Sequence, residues 1–134
     1  MTVPFLSARS LLALADQSHA SYGADCACGM AACVGWESVA ETRWPKECMH
    51  RVGTLHDPNA PHGVDLTFEE FHPDGTRYDS PNAPVAPSFF PYNRCDVFAC
   101  GTCHRTLLKY TEYGGYYVDP RVRVLQADHI VIDD

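Results

Sequence analysis

No apolar run in the 134-residue chain approaches the roughly 18 to 20 residues that cross a bilayer, so no membrane partner is expected. Positive charge is scarce: 10 Lys and Arg stand against 17 Asp and Glu, a formal net charge of −7 with His neutral. That sum repels a phosphate backbone, and no basic run offers a local exception, which removes nucleic acid from the expected partners. The signatures H-E-x-x-H and G-x-S-x-G and the glycine loops that cradle phosphate are missing, as are internal repeats and low-complexity stretches. Met1 to Arg9 shows no basic segment leading into an apolar one, because Ser7, Arg9 and Ser10 interrupt it before Leu11. Export is therefore not expected, and a cytoplasmic location is. With 46% apolar and 20% charged residues the composition lies near globular averages, which excludes wholesale disorder, collagen and coiled coil. The length fits a single domain over residues 1–134.

What the chain does have is sulfur. Seven cysteines accompany seven histidines. Disulfides do not persist in a reducing compartment, and an odd number would leave one thiol over, so thiolates held by a metal account for the count better than a disulfide framework. The informative stretch is Cys95-Asp96-Val97-Phe98-Ala99-Cys100-Gly101-Thr102-Cys103-His104. Two cysteines separated by two residues can turn both sulfurs onto one Zn²⁺ at about 2.3 Å, the tight turn matching one edge of a tetrahedron. Apolar residues before and after the turn make it the joint between two strands, the geometry of a zinc ribbon. A second C-x2-C pair is lacking, so the other ligands have to come from elsewhere. One arrangement joins Cys95, Cys100 and Cys103 with an upstream cysteine or a histidine. Another makes two sites, one of Cys26, Cys28, Cys33 and Cys48, the other of Cys95, Cys100, Cys103 and His104.

The same residues admit other chemistry. Cys100 to His104 fits the C-x2-C-H pattern of covalent haem, with Met30 or Met49 as a sixth ligand, but that attachment needs an exported chain. C-x4-C-x2-C echoes plant-type ferredoxins, yet no cysteine follows Cys103. A thioredoxin-like couple would sit at a helix start, where the dipole lowers the thiol pKa, and this pair lies between strands. His56-Asp57, His62 with Asp65, and Glu69, Glu70 and His72 could form a hydrolytic site, but no spacing ties them together. The tyrosines at 78, 92, 110, 113, 116 and 117 could form a binding surface and are better read as packing.

Around this centre the pattern predicts a small α+β domain. Apolar Ala8, Leu11, Leu12, Ala15 and Ala20 mark an amphipathic helix over 7–20, with Gly23 as its stop. Trp36 to Trp44 fits helical spacing at Trp36, Val39, Ala40, Arg43 and Trp44, while Trp36, Ser38 and Ala40 against Glu37, Val39 and Glu41 also alternate as a strand; the helix, ended by Pro45, is the preferred reading. Val64 to Phe71 alternates as a strand and is followed by His72-Pro73-Asp74-Gly75-Thr76, a hairpin loop leading to Arg77-Tyr78-Asp79. Ser80 to Asn93 is a proline-rich crossing loop. Gly114-Gly115 predicts a type I′ turn that sets Tyr113 opposite Tyr116, with a further strand after Pro120.

The segment from Pro91-Tyr92-Asn93-Arg94-Cys95 through Cys100 and Cys103 to Tyr110-Thr111-Glu112-Tyr113-Gly114-Gly115-Tyr116-Tyr117 resembles small uncharacterised bacterial proteins with a zinc-ribbon-like cysteine turn. The resemblance covers about a third of the chain and implies a structural metal on Cys100 and Cys103, with Cys95, and no known reaction. Where the common knuckle has Gly after its second cysteine, this chain has His104, which admits His104 as a ligand. The expectation is thus one zinc-stapled domain with an N-terminal helix on an antiparallel sheet. It would act as a protein-interaction module rather than an enzyme, an inhibitor or immunity protein engaging a basic partner through its acidic surface. The competing expectation is a metal-dependent hydrolase or redox protein using the same cysteines.

Overall fold

Ser7 opens the first helix. Its backbone C=O accepts from Leu11 N–H at 2.9 Å and its hydroxyl from Ser10 N–H at 3.1 Å, which satisfies amide groups that a helix start leaves without partners. In the computed structural model, which describes residues 4–20, 29–30, 33–56, 67–113, 116 and 118–132, this helix, α1, spans Ala8–Ala20. It is followed by β1 (Glu37–Ser38), β2 (Met49–Thr54), β3 (Asp96–Cys100), β4 (Thr106–Tyr113) and β5 (Val118–Val124). Short 3₁₀ turns lie at Tyr92–Arg94 and Ala127–His129. The strands form one antiparallel sheet in the order β1-β5-β4-β3-β2, so the α+β class holds. Among the described residues no helix is long and apolar enough to cross a membrane.

Each strand presents alternate residues to opposite faces. The register Val97↔Leu108 and Leu108↔Arg123 defines one face, and Phe98↔Leu107 and Leu107↔Val124 the other. On the first face Val97 and Leu108 share a core with Leu11 and Ala15 of α1 and with Trp36, Tyr92, Cys95 and Tyr110. On the second, Leu107, Val122 and Val124 pack with Met30, Cys33, Val39, Trp44, Met49, Cys100 and Cys103. The sheet is therefore covered on both sides, by α1 and the proline-rich loop on one and by the 30–49 segment on the other.

Three local expectations are corrected. Trp36 to Trp44, read preferentially as a helix, instead form β1, paired Glu37↔Val122 as the strand alternative for their first residues had it, and then a single turn in which Arg43 and Trp44 donate to the Ala40 carbonyl. Nearby β5 offers Glu37 and Ser38 a ladder, which outweighs a weak helical pattern. The hairpin at Asp74-Gly75 is a turn only: Gly75 takes φ 80° and donates to the His72 carbonyl at 3.2 Å, but residues 67–79 add no strand to the sheet. Phe68 and Phe71 instead place their rings 5.6 Å and 5.2 Å from those of Phe90 and Phe89. The rest of that proposed strand, Val64 to Leu66, lies outside the described residues, as does Gly23. The β4–β5 register is Tyr113↔Val118, not Tyr113 with Tyr116, because the connection takes up two further residues; Gly114 and Gly115 themselves are outside the description. Pro120 sits inside β5, opposite Thr111. Its missing N–H points away from β4, toward the short β1 side, where Pro120 still accepts from Val39 N–H at 2.9 Å.

Arg123 is the largest fully buried side chain, 1% exposed. One guanidinium nitrogen donates to the Tyr92 hydroxyl, the other to the carbonyls of Pro81 (3.1 Å) and Ala83 (2.8 Å). A planar fork reaches three acceptors at once and so ties the proline-rich loop to β5. Replacing Arg123 by Met strands those acceptors in the core, so urea denaturation should show a loss of about 3 kcal/mol. Arg123→Lys should lose nearly as much, since a single ammonium cannot span the fork. Losses within about 0.5 kcal/mol, the range of ordinary surface changes, would show that the loop holds without this anchor.

Candidate metal centre

Within the β3–β4 connection, Gly101 to Arg105, a four-residue loop from Gly101 to His104 is closed by Cys100 N–H to the Arg105 carbonyl and His104 N–H to the Cys100 carbonyl, both 3.0 Å. A loop of this closure needs its last residue in the left-handed region, and His104 has φ 65°, the one non-glycine positive φ among the described residues. Histidine thus performs the turn for which the common knuckle uses Gly. The loop is also fastened sideways, because Gly101 N–H donates to the Cys48 carbonyl at 2.7 Å. The space there is small: a Cβ on residue 101 would lie 3.0 Å from Nε2 of His50.

Inside the loop the Cys100 sulfur accepts from two backbone N–H groups, Thr102 at 3.4 Å and Cys103 at 3.5 Å. Hydrogen bonds to a charged form favour it, so this cradle is better suited to a thiolate than to a thiol. Both Cys100 and Cys103 are 1% exposed. No described cysteine is in a disulfide.

Cys33 and Cys48 belong to the same face of the sheet as Cys100 and Cys103. Cys33 is held by its backbone, whose carbonyl accepts from Val124 N–H at 2.7 Å. Its thiol is pushed up to about 11, first by burial and then by the Glu37 charge beside it. Cys48, half-buried, directs its sulfur at the Pro45 carbonyl, 3.4 Å away. Cys95 goes the other way. It is fully buried in the core under α1, hydrogen-bonds the Pro91 carbonyl at 3.4 Å, and its thiol is pushed well above its usual value by burial. The imidazole of His104 is exposed. Cys26 and Cys28 lie outside the described residues.

Among the described residues no three His, Cys, Asp or Glu side chains come close enough together to hold a metal ion. The structure sets Cys100, Cys103, Cys33 and Cys48 in one core and puts Cys95 across the sheet from them. Soft, buried sulfurs with N–H donors aimed at one of them are a donor set that fits Zn²⁺.

The alternative catalytic groups stay apart. Glu70 and Thr76 occupy the two ring nitrogens of His72 at 2.8 Å and 2.7 Å, a local surface arrangement with no third group. Asp57, His62 and Asp65 lie outside the described residues, and Glu69 contributes its carbonyl to Phe90 N–H. His56 lines a cleft with Phe68, Phe90 and Arg94. The sequence reading missed His50, which packs on the knuckle, and a chain of contacts on the helix face: Ser38 hydroxyl to Asp119 (2.6 Å), Asp119 to Arg121 (3.0 Å), Arg121 to the Tyr78 hydroxyl (3.2 Å) and that hydroxyl to Tyr110. Burial raises both tyrosines above their ordinary range. The signal for the arginines was the alternation of Arg121 and Arg123 with Val122 and Val124, which marks two faces without saying that both are covered.

Comparison with protein families, with curated proteins and with solved structures found no match. The likeness of residues 91–117 to zinc-ribbon-like bacterial proteins accordingly rests on its motifs.

The left-handed residue supplies a test that separates turn from ligand. His104→Gly removes the steric cost of φ 65°, roughly 1 kcal/mol, and should hold or raise the melting temperature by a few degrees while leaving metal content unchanged. Loss of bound metal in that variant would make the imidazole a ligand instead.

Proposed function

We propose that the protein is a structural-zinc domain that works by binding another protein and not by catalysis. The observation carrying this reading is the Cys100 turn: two buried sulfurs one knuckle apart, two N–H groups directed at the first, and a left-handed residue closing the loop. Zn²⁺ on Cys100 and Cys103 takes its remaining ligands from the cysteines available to that face, Cys33 and Cys48 being the described ones. When bound, the ion supplies folding free energy by clamping the β3–β4 turn to the 30–49 segment. Because metal binds thiolate, the Cys33 proton has to leave, and zinc affinity rises with pH and falls on acidification. A cytosolic setting keeps the thiols reduced.

Binding as the activity is supported by what surrounds the metal. Four sulfur ligands, if completed around the ion, would leave no site for water or substrate, as in a structural zinc. The net charge of −7 speeds association with a basic partner, as an inhibitor or immunity protein would need.

Elemental analysis of native protein should find about one zinc per chain and no visible absorption, the latter setting aside haem and iron–sulfur. Cys100→Ser and Cys103→Ser should lose the metal and a large part of thermal stability. Cys95→Ser, on the opposite face, should keep the metal. Zinc retained in Cys100→Ser, or lost in Cys95→Ser alone, would overturn the assignment.

A further inference from the structure

β3 is shorter than the strand it pairs with. Its ladder with β4 ends at Asp96↔Lys109, while β4 continues to Tyr113 and stays paired with β5 on the other side. From Tyr110 to Tyr113 that edge of β4 has no neighbouring strand among the described residues. The ladder fixes which groups point there. Cys100 N–H donates to the Arg105 carbonyl across the hairpin, so Arg105 and β4 residues 107 and 109 face β3, and the same alternation aims the N–H and C=O of Thr111 and Tyr113 into the vacant side. This edge borders a cleft of about 490 Å³ whose lining includes His56, Phe68, Phe90, Phe98, Thr111 and Glu112. Phe68 is 72% exposed and carries the Arg94 guanidinium 4.3 Å above its ring.

We propose that this edge is the docking site for an extended, basic segment of a partner protein, which adds as a strand antiparallel to β4 in line with β3. The inference rests on the binding reading above and names its site. A strand edge is completed by another strand, whose main chain meets Thr111 and Tyr113 while its alternate side chains enter the cleft. Charge decides which strand. The other ionised groups at the cleft are engaged: Lys109 with Glu41 at 3.0 Å, Asp96 with Arg51 at 3.2 Å, and Arg94 with the Thr67 carbonyl at 3.0 Å over the two phenylalanine rings. Glu112 makes no ion pair among the described residues, although the Arg94 guanidinium in the same cleft feels its charge. It stands at a non-hydrogen-bonded position of the vacant edge, where facing side chains come closest, so a Lys or Arg opposite it completes the pair. A second copy of the chain fits worse. Two-fold pairing that satisfies both Thr111 and Tyr113 sets Glu112 directly against its own copy, a like-charge contact across the strands.

The probe is the capped pentapeptide acetyl-Val-Thr-Lys-Thr-Val-amide, whose lysine falls opposite Glu112 and whose second threonine falls opposite Thr111. Titrated into full-length ¹⁵N-labelled protein, it should shift the Thr111 and Tyr113 amide signals and slow their hydrogen exchange. Methylating the backbone nitrogen of the second threonine should abolish binding. Exchanging the peptide lysine for glutamate should weaken it up to about five-fold, as expected for one cross-strand charge pair, and Glu112→Lys should reverse that preference. Unmoved Thr111 and Tyr113 amides at millimolar peptide, equal binding of the methylated peptide, or a sedimenting dimer that the peptide dissociates would each overturn the proposal. Zinc measured on the same sample reports separately, since a metal-free chain that still takes the peptide sinks the metal reading alone.

Discussion

Side-chain alternation along β3 decides which residues of this protein can meet. In a strand, neighbours point to opposite faces, and β3 is paired on both sides: Met49↔Cys100 and Arg51↔Phe98 from β2, Val97↔Leu108 and Phe98↔Leu107 from β4. Val97, like Cys95 before it, joins the core beneath α1; Phe98 and Cys100 face the 30–49 segment. Every grouping of sulfur follows from that split. Cys100 and Cys103 share a core with Cys33 and Cys48 but are separated from Cys95 by the thickness of the sheet, and turning Cys95 round would break the ladder that places Val97 in the core.

The elements most legible in the sequence were those where local chemistry and packing agree. Ala8, Leu11 and Ala15 recur at helical spacing and are the residues of α1 buried to within 1%, while Ser7 supplies the cap. The C-x2-C turn was legible because its constraint is local. Where tertiary pairing competes with a local pattern, the reading failed. Trp36 to Trp44 carries helical spacing, but the vacant edge of β5 drew Glu37 and Ser38 into a ladder. Gly114-Gly115 suggested the tightest turn available, whereas Tyr113↔Val118 shows that pairing along β4 and β5, through Pro120, set the register instead. The position of Cys95 was legible in principle: five residues along a strand always reverse the face, so Cys95 and Cys100 could not have pointed together without a bulge, and the ferredoxin-like spacing drew attention away from that parity.

Arg123 shows a kind of information that period-two patterning does not carry. Its alternation with Val122 and Val124 would ordinarily place arginine in water, yet it is among the most buried side chains. What overturns the rule is the proline-rich loop, which crosses that face and turns the Pro81 and Ala83 carbonyls inward. A proline-rich segment makes few hydrogen bonds of its own, so its inward carbonyls need an outside donor, and a guanidinium with five N–H groups satisfies them without a carboxylate. Donor and acceptors are some 40 residues apart in sequence, and nothing local announces the match.

The length of β3 links the two proposals. Five residues long against eight for β4, it ends at one side in the cysteine knuckle and at the other leaves one edge of the far half of β4 without a partner strand among the described residues. A strand edge binds well only if it is already held in place, since ordering it on contact subtracts from affinity. The far half of β4 is fixed by β5 along one side alone, and a two-stranded ribbon by itself is marginal. Zinc on Cys100 and Cys103 would lock the opposite end of the same β3–β4 hairpin to the Cys48 loop, so the ladder from Asp96 to Ala99 is held at its closed end and resists fraying from its open one. If both proposals hold, the metal's contribution to function would be mechanical: it would set the stiffness of the strand whose edge receives the partner, and a chain of this size has few other means of doing so.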